Sequence, residues 1–279
     1  MKTLNLLLFL SLISLTSCSS DDVETQHIDD LADLQLITRV SNETHHIELY
    51  SPTGLLQTGF NQVSLRIQDA ASDEFSPDAS ISWLPIMHMT NMQHAAPASK
   101  VGKVPGTTAL YSGHLIFSMP ENSKEKWEVN LTYQMDGDTF NAAIPVEVPQ
   151  SEDRTMVRFT GTDNENYLLA LVQPFEPRVA VNDIQMVLYR MEPTMDYLPV
   201  DGFKILIDPR MPGMGNHGSP NNVDLVQGDD GFYSGSLSLT MTGLWRINLQ
   251  VLDASGQIIK GEPVTEDNPD SGIFMQLEF

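Results

Sequence analysis

Apolar and polar residues alternate with a period of two along "QVSLRIQ" (62–68), "GHLIFSM" (113–119), "WEVNLTY" (127–133), "GSLSLTM" (235–241) and "WRINLQV" (245–251). Successive side chains of a β-strand point to opposite faces, so this alternation predicts half-buried strands, not helices, whose apolar positions recur every three or four residues. Gly, Pro, Asn and Asp gather between the runs, where turns need them, and hardly any window supports a helix of three turns. Short strands apolar in part on both faces predict an all-β chain of two tandem immunoglobulin-like antiparallel β-sandwiches. Trp127 and Trp245, each opening such a run, are expected in the cores.

The runs belong to a repeat. "YSGHLIFSMPENSKEKWEVNLTY" (111–133) returns as "YSGSLSLTMTGLWRINLQV" (233–251), with Met eight residues after the Tyr and Asn three after the Trp in both. Further back, Asn61 answers to Asn182, and His94 and Pro97 to His217 and Pro220. This shared order divides the chain into modules over 33–149 and 153–279, joined at "PQSED".

The N-terminus adds a different element. Lys2 and the apolar run 4–15 are too short to span a bilayer and read as a secretory signal over 1–17. "LTSC" (15–18) resembles the lipobox of bacterial lipoproteins, which implies lipidation of Cys18, the chain's only cysteine. Residues 18–32 are acidic and poor in large apolar side chains, the composition of a solvated tether, and "SSDD" resembles the signals that carry some lipoproteins to the outer face of an outer membrane. The expected location is therefore the bacterial cell envelope, with the lipid holding the protein to a membrane on its periplasmic or surface face. With 15 Lys+Arg against 37 Asp+Glu the formal charge is -22. That excludes nucleic acid as a partner, since phosphate binding needs a basic footprint, and suits a soluble envelope protein.

With the one cysteine used as an anchor, soft-metal ligands must come from Met and His. "MHMTNMQH" (87–94) places Met87, Met89, Met92 and His94 where a strand is expected to end near Met89, with Met87 and Met89 on one face and Met92 and His94 on the following loop. "DPRMPGMGNHGSP" (208–220) spaces Met211, Met214 and His217 by three residues each, and its Pro and Gly content predicts a loop. Thioethers and imidazoles without carboxylates select a late, soft metal: Cu(I) first, with Cu(II) open to the histidine. Neither stretch offers the oxygens calcium needs or the ligand set zinc favours. The alternative is packing, because Met fills irregular core gaps and a duplication copies core residues as faithfully as ligands. Aligned without a gap from the histidines, Met211 falls on His88 and Met214 on Asn91, so the sulfurs are not matched position for position. His114, where the second copy has Ser236, reads as a surface or hydrogen-bonded residue, and the adjacent His45 and His46 face opposite sides of a strand.

The run from "DPRMPGMGNHGSP" through "GFYSGSLSLTMTGLWRINLQV" resembles the YtkA-like and FixH-like envelope modules, as do "WLPIMHMTNMQHAAP", "ALYSGHLIFSM" and "KWEVNL" of the first copy. The resemblance implies a β-sandwich in the bacterial envelope, with copper handling or support of copper-oxidase assembly as its role and an envelope protein as partner. Residue by residue it points to Met87, Met89, Met92 and His94, and to Met211, Met214 and His217. A non-metal structural or protein-interaction lipoprotein is the alternative. No nucleophile elbow, phosphate loop or His-Glu metal motif is found, and an enzyme is not expected.

Overall fold

A computed structural model describes residues 30–193 and 196–279. The expected leader, Cys18 and the tether up to residue 29 lie outside the described residues. The chain is all-β, as the period-two pattern predicts. In the first module, β1 (Gln35–Ser41), β2 (His45–Ser51), β3 (Gly59–Asp69), β6 (Gly102–Lys103) and β7 (Tyr111–Phe117) form a five-stranded sheet in the order β1-β2-β3-β7-β6. Facing it are β4 (Ser80–His88), β5 (Gln93–Ala95), β8 (Lys126–Met135) and β9 (Asp138–Val146), in the order β5-β4-β8-β9. Inward residues of the two layers, among them Ile47, Leu65, Leu115, Phe117, Trp127 and Leu131, make one core.

The second module repeats this plan. Its strands are β10 (Met156–Thr160), β11 (Asn166–Gln173), β12 (Val181–Met191), β13 (Tyr197–Pro199), β14 (Lys204–Met211), β15 (His217–Gly218), β16 (Val223–Gln227), β17 (Tyr233–Ser238), β18 (Leu244–Leu252), β19 (Ile258–Lys260) and β20 (Phe274–Glu278). They run β10-β11-β12-β17-β16-β14-β18-β19, with β13, β15 and β20 at the margins. Here β16 pairs with both β17 and β14, so the two layers are continuous along one edge. A separate core forms around Leu169, Met186, Leu188, Leu237, Trp245, Ile247 and Met275. Every ladder between strands is antiparallel, and β3–β7 and β4–β8 of the first module answer to β12–β17 and β14–β18 of the second.

The repeated landmarks have structural tasks, and these tasks are the same in both copies. Asn61 accepts from the amide of Gln57 and donates to the carbonyls of Gln57 and Gly59; Asn182 does the same with Arg178 and Ala180. Each side chain thus ties down the turn ahead of its strand through three hydrogen bonds to the backbone. The indole N–H of Trp127 donates to the carbonyl of Met119, and that of Trp245 to Met241. The contact is to the backbone and so does not itself call for methionine, but it explains how the spacing can differ: a longer loop still returns the carbonyl to the indole. Gly113 and Gly235 leave room for crossing chain; a Cβ on Gly113 would stand 2.7 Å from the Trp83 ring.

The modules are docked on one another. The outer face of β3 and β7 presents Phe60, His114 and Ile116 to Leu168, Ala170, Val187 and Tyr189 on the outer face of β11 and β12. "PQSED" is part of this junction and not a loose joint: Ser151 is buried, and the Thr58 hydroxyl accepts from the amide of Ser151 and the Gln150 side chain. At the far end of the first module, Asp30 accepts from the amide of Thr108. The chain therefore enters that module at the end away from β5.

Candidate functional site

The stretch 87–94 is a β-hairpin. β4 and β5 pair Met87 with His94 and His88 with Gln93, and the Met89 amide donates to the Met92 carbonyl at 3.0 Å, closing a tight turn through Thr90 and Asn91. Residues directly opposite in an antiparallel pair share a face, and alternate rungs share it too. Met87, Met89, Met92 and His94 therefore stand on one face, on two successive like-facing rungs. His94 belongs to β5 and not to a loop, which corrects the sequence expectation. His88 and Gln93 turn the other way and meet each other, with Glu128 beside His88.

Depth varies across that face. Met87 is 1% exposed in the first core, opposite Trp127, whereas Met92 is 63% exposed on the turn. Met89 is half-buried, packed at the core's margin. The Nε2 atom of His94 is buried with no hydrogen-bond partner. Burial, and then the charge of Arg158 on β10, hold the His94 imidazole below its ordinary pKa, so near neutral pH it is in the uncharged form that ligates metals.

The second stretch is also a hairpin, and β14 runs on through Pro209 to Met211 where Pro and Gly predict a loop. Met211 pairs with His217, and the connection contains a 3-10 turn, Pro212–Met214, followed by Gly215 and Asn216 at φ 65° and 60°. Met211 is 5% exposed in the second core, Met214 is 58% exposed on the turn, and His217 is exposed. The structural correspondence differs from the gapless alignment. Met87 and Met211 are equivalent, each at the inward end of its strand and opposite its histidine, because the first connection is one residue longer. The hairpins thus share a plan of inward Met, turn Met and cross-strand His.

Among the described residues, no group of three or more His, Cys, Asp and Glu side chains gathers as a metal-binding cluster. Any ion at these hairpins would depend on thioether donors with one imidazole, a set suited to Cu(I). The His94 Nε2, buried without a partner and on the same hairpin face as three methionines, fits such an ion, since a buried polar atom without a partner carries a desolvation cost that a ligand would relieve. At the second hairpin the donors are the same in kind, with Met214 and His217 open to water and Met211 buried.

His114, read from sequence as a surface or satisfied residue, lies between the modules. Its Nε2 shares a 2.8 Å hydrogen bond with the Tyr189 hydroxyl, and its ring lies against Phe60 and Phe232. Burial pushes its pKa down to about 4 and that of Tyr189 up to about 12. The only sequence signal for this role was that the position differs between two otherwise similar copies, which is what a contact made by one copy alone produces.

No family model and no curated protein matches this chain. Among solved structures, one similar chain is FdeC, described as a novel broadly conserved Escherichia coli adhesin eliciting protection against urinary tract infections. The match has 13% identity and a TM-score of 0.24, and covers 74% of this chain and 59% of that one. Similarity at that level carries nothing about architecture or activity.

Proposed function

We propose that the protein is a lipid-anchored binding protein of the bacterial envelope that holds Cu(I) as cargo at its two Met/His hairpins and passes it to an envelope partner. The observation that carries this reading is the first hairpin: three thioethers and an imidazole share one face, and the imidazole Nε2 is buried without a partner. The matched plan of the second hairpin supports it, as does the resemblance of both stretches to the YtkA-like and FixH-like modules. Tethering is compatible with this arrangement, because the chain enters the first module at the end opposite its hairpin.

Titration with Cu(I) against a competing chelator tests the reading on the chain from Ser19 onward, which contains both cores and no thiol. Two bound ions are expected, and a variant with Met92, His94, Met214 and His217 all changed to Ala should lose them. Equal copper binding by the variant would sink the proposal.

The burial of Met87 and Met211 favours a second reading, in which the Met-rich ends serve packing or protein docking without metal. It predicts that the turn residues Met92 and Met214 have no effect on copper binding.

A further inference from the structure

The docking of the modules makes two like hairpins unlike. Phe60, His114 and Ile116 of the first module lie under the second, and their equivalents by ladder position are Val181, Ser236 and Ser238. On the second module Ser238 is itself buried, at 6% exposed, while the valines beside it are open. Val181 is 59% exposed and Val223, opposite Ser236, is 56% exposed. The segment leading from each hairpin lies along this same edge: Pro97 accepts from the amide of Ile116 in the first module, and Ser219 donates to the carbonyl of Ser238 in the second. So the first hairpin leads towards the docked face and has a buried imidazole nitrogen, with the charge of Arg158 of the other module acting on it, while the second leads towards the exposed Val181 and Val223 and has an exposed histidine.

Resting on the copper reading above, we infer that the second hairpin is the exchange site and the first a retention site, the difference being set by which module's β3-type and β7-type face is occupied. Ligand exchange between proteins requires an incoming donor to reach the ion before the old donors leave. Met214 and His217, both exposed, allow that approach. At the first hairpin Met92 projects into solvent, whereas Met89 and His94 are half-buried and the His94 Nε2 is enclosed.

The test is the rate at which Cu(I), loaded to saturation, passes to excess bicinchoninate, followed by colour. Two phases at least about tenfold apart in rate are expected. Met214→Ala with His217→Ala should remove the fast phase, and Met92→Ala with His94→Ala the slow one. His114→Ser, which installs the residue the second module has at this position, should accelerate the slow phase and leave the fast phase unchanged. A single phase with two ions bound, or a fast phase that disappears with the first hairpin's ligands, overturns the inference while leaving the copper reading standing. Loading to fewer than two ions overturns it as well. A count of zero removes the copper reading with it, and the titration end point, read before chelator is added, separates these cases.

Discussion

At the scale of single residues, the two kinds of methionine should behave oppositely. Met87 fills space in the first core, and truncation there leaves a cavity; Met87→Ala should lower stability by about 2–4 kcal/mol in denaturant titrations without copper. Met92 stands in water, so Met92→Ala should stay within about 0.5 kcal/mol of wild type. On the proposed function the same Met92→Ala weakens Cu(I) binding. Stability loss at Met92 in the apo protein would assign it a packing role instead. Asn182 offers a further check, since its side chain bonds the backbone at Arg178 and Ala180 near the surface; Asn182→Ala should cost about 0.5–1.5 kcal/mol by thermal denaturation. The landmark Asn, Tyr, Met and Trp residues were legible in sequence because they recur, but recurrence does not say what a residue does. Only hydrogen-bond geometry separates Met119 and Met241, which serve through their carbonyls, from Met92 and Met214, which present sulfur to solvent.

At the scale of elements, the strands and their facing were readable because period two is imposed by backbone geometry. The hairpins were not, since Pro209 and the glycines that follow it suggest a loop while ladder pairing carries the strand through to Met211. A tight turn between Met89 and Met92 is likewise invisible to a residue count, yet it decides that all four donors share one face. The element pair β7 and β12 carries a pH effect through His114. Its folded pKa, about 4, lies below the ordinary value of 6.5, so the state with the interface open binds more protons between those values. Stability of the docked state is therefore full above about pH 6.5 and declines as pH falls towards 4, by on the order of 3 kcal/mol. His114→Gln, which keeps a partner for the Tyr189 hydroxyl, should flatten that part of the stability–pH curve. His45 and His94 also sit below the ordinary value through burial, so the difference between variant and wild type, not the slope itself, is the measurement.

At the scale of the molecule, the repeat is asymmetric because each module carries two outer surfaces and only one pair of them meets. The face of the second module that receives the first is apolar, with Leu168, Ala170, Val187 and Tyr189. The equivalent positions of the first module are His46, Glu48, Arg66 and Gln68, held by the ion pairs of Glu48 with Arg39 and Arg66. That surface is polar where the second module's is apolar, as the outer face of a terminal repeat is. The division into two cores was legible from the internal repeat, whereas the docking was not, because it depends on the few positions at which the copies differ. Ile116 is fully buried yet belongs to neither module's own core, only to the cluster between them. A carboxylate there would be desolvated against Tyr189 and Val187 at a cost of several kcal/mol, unless the modules part. Ile116→Asp should therefore leave the near-ultraviolet circular dichroism of Trp127 and Trp245 in place while small-angle scattering reports a larger radius of gyration. An unchanged radius would mean that the junction at Thr58, Gln150 and Ser151 fixes the modules by itself. Loss of the tryptophan signal would mean that the docking face is part of a single cooperative fold.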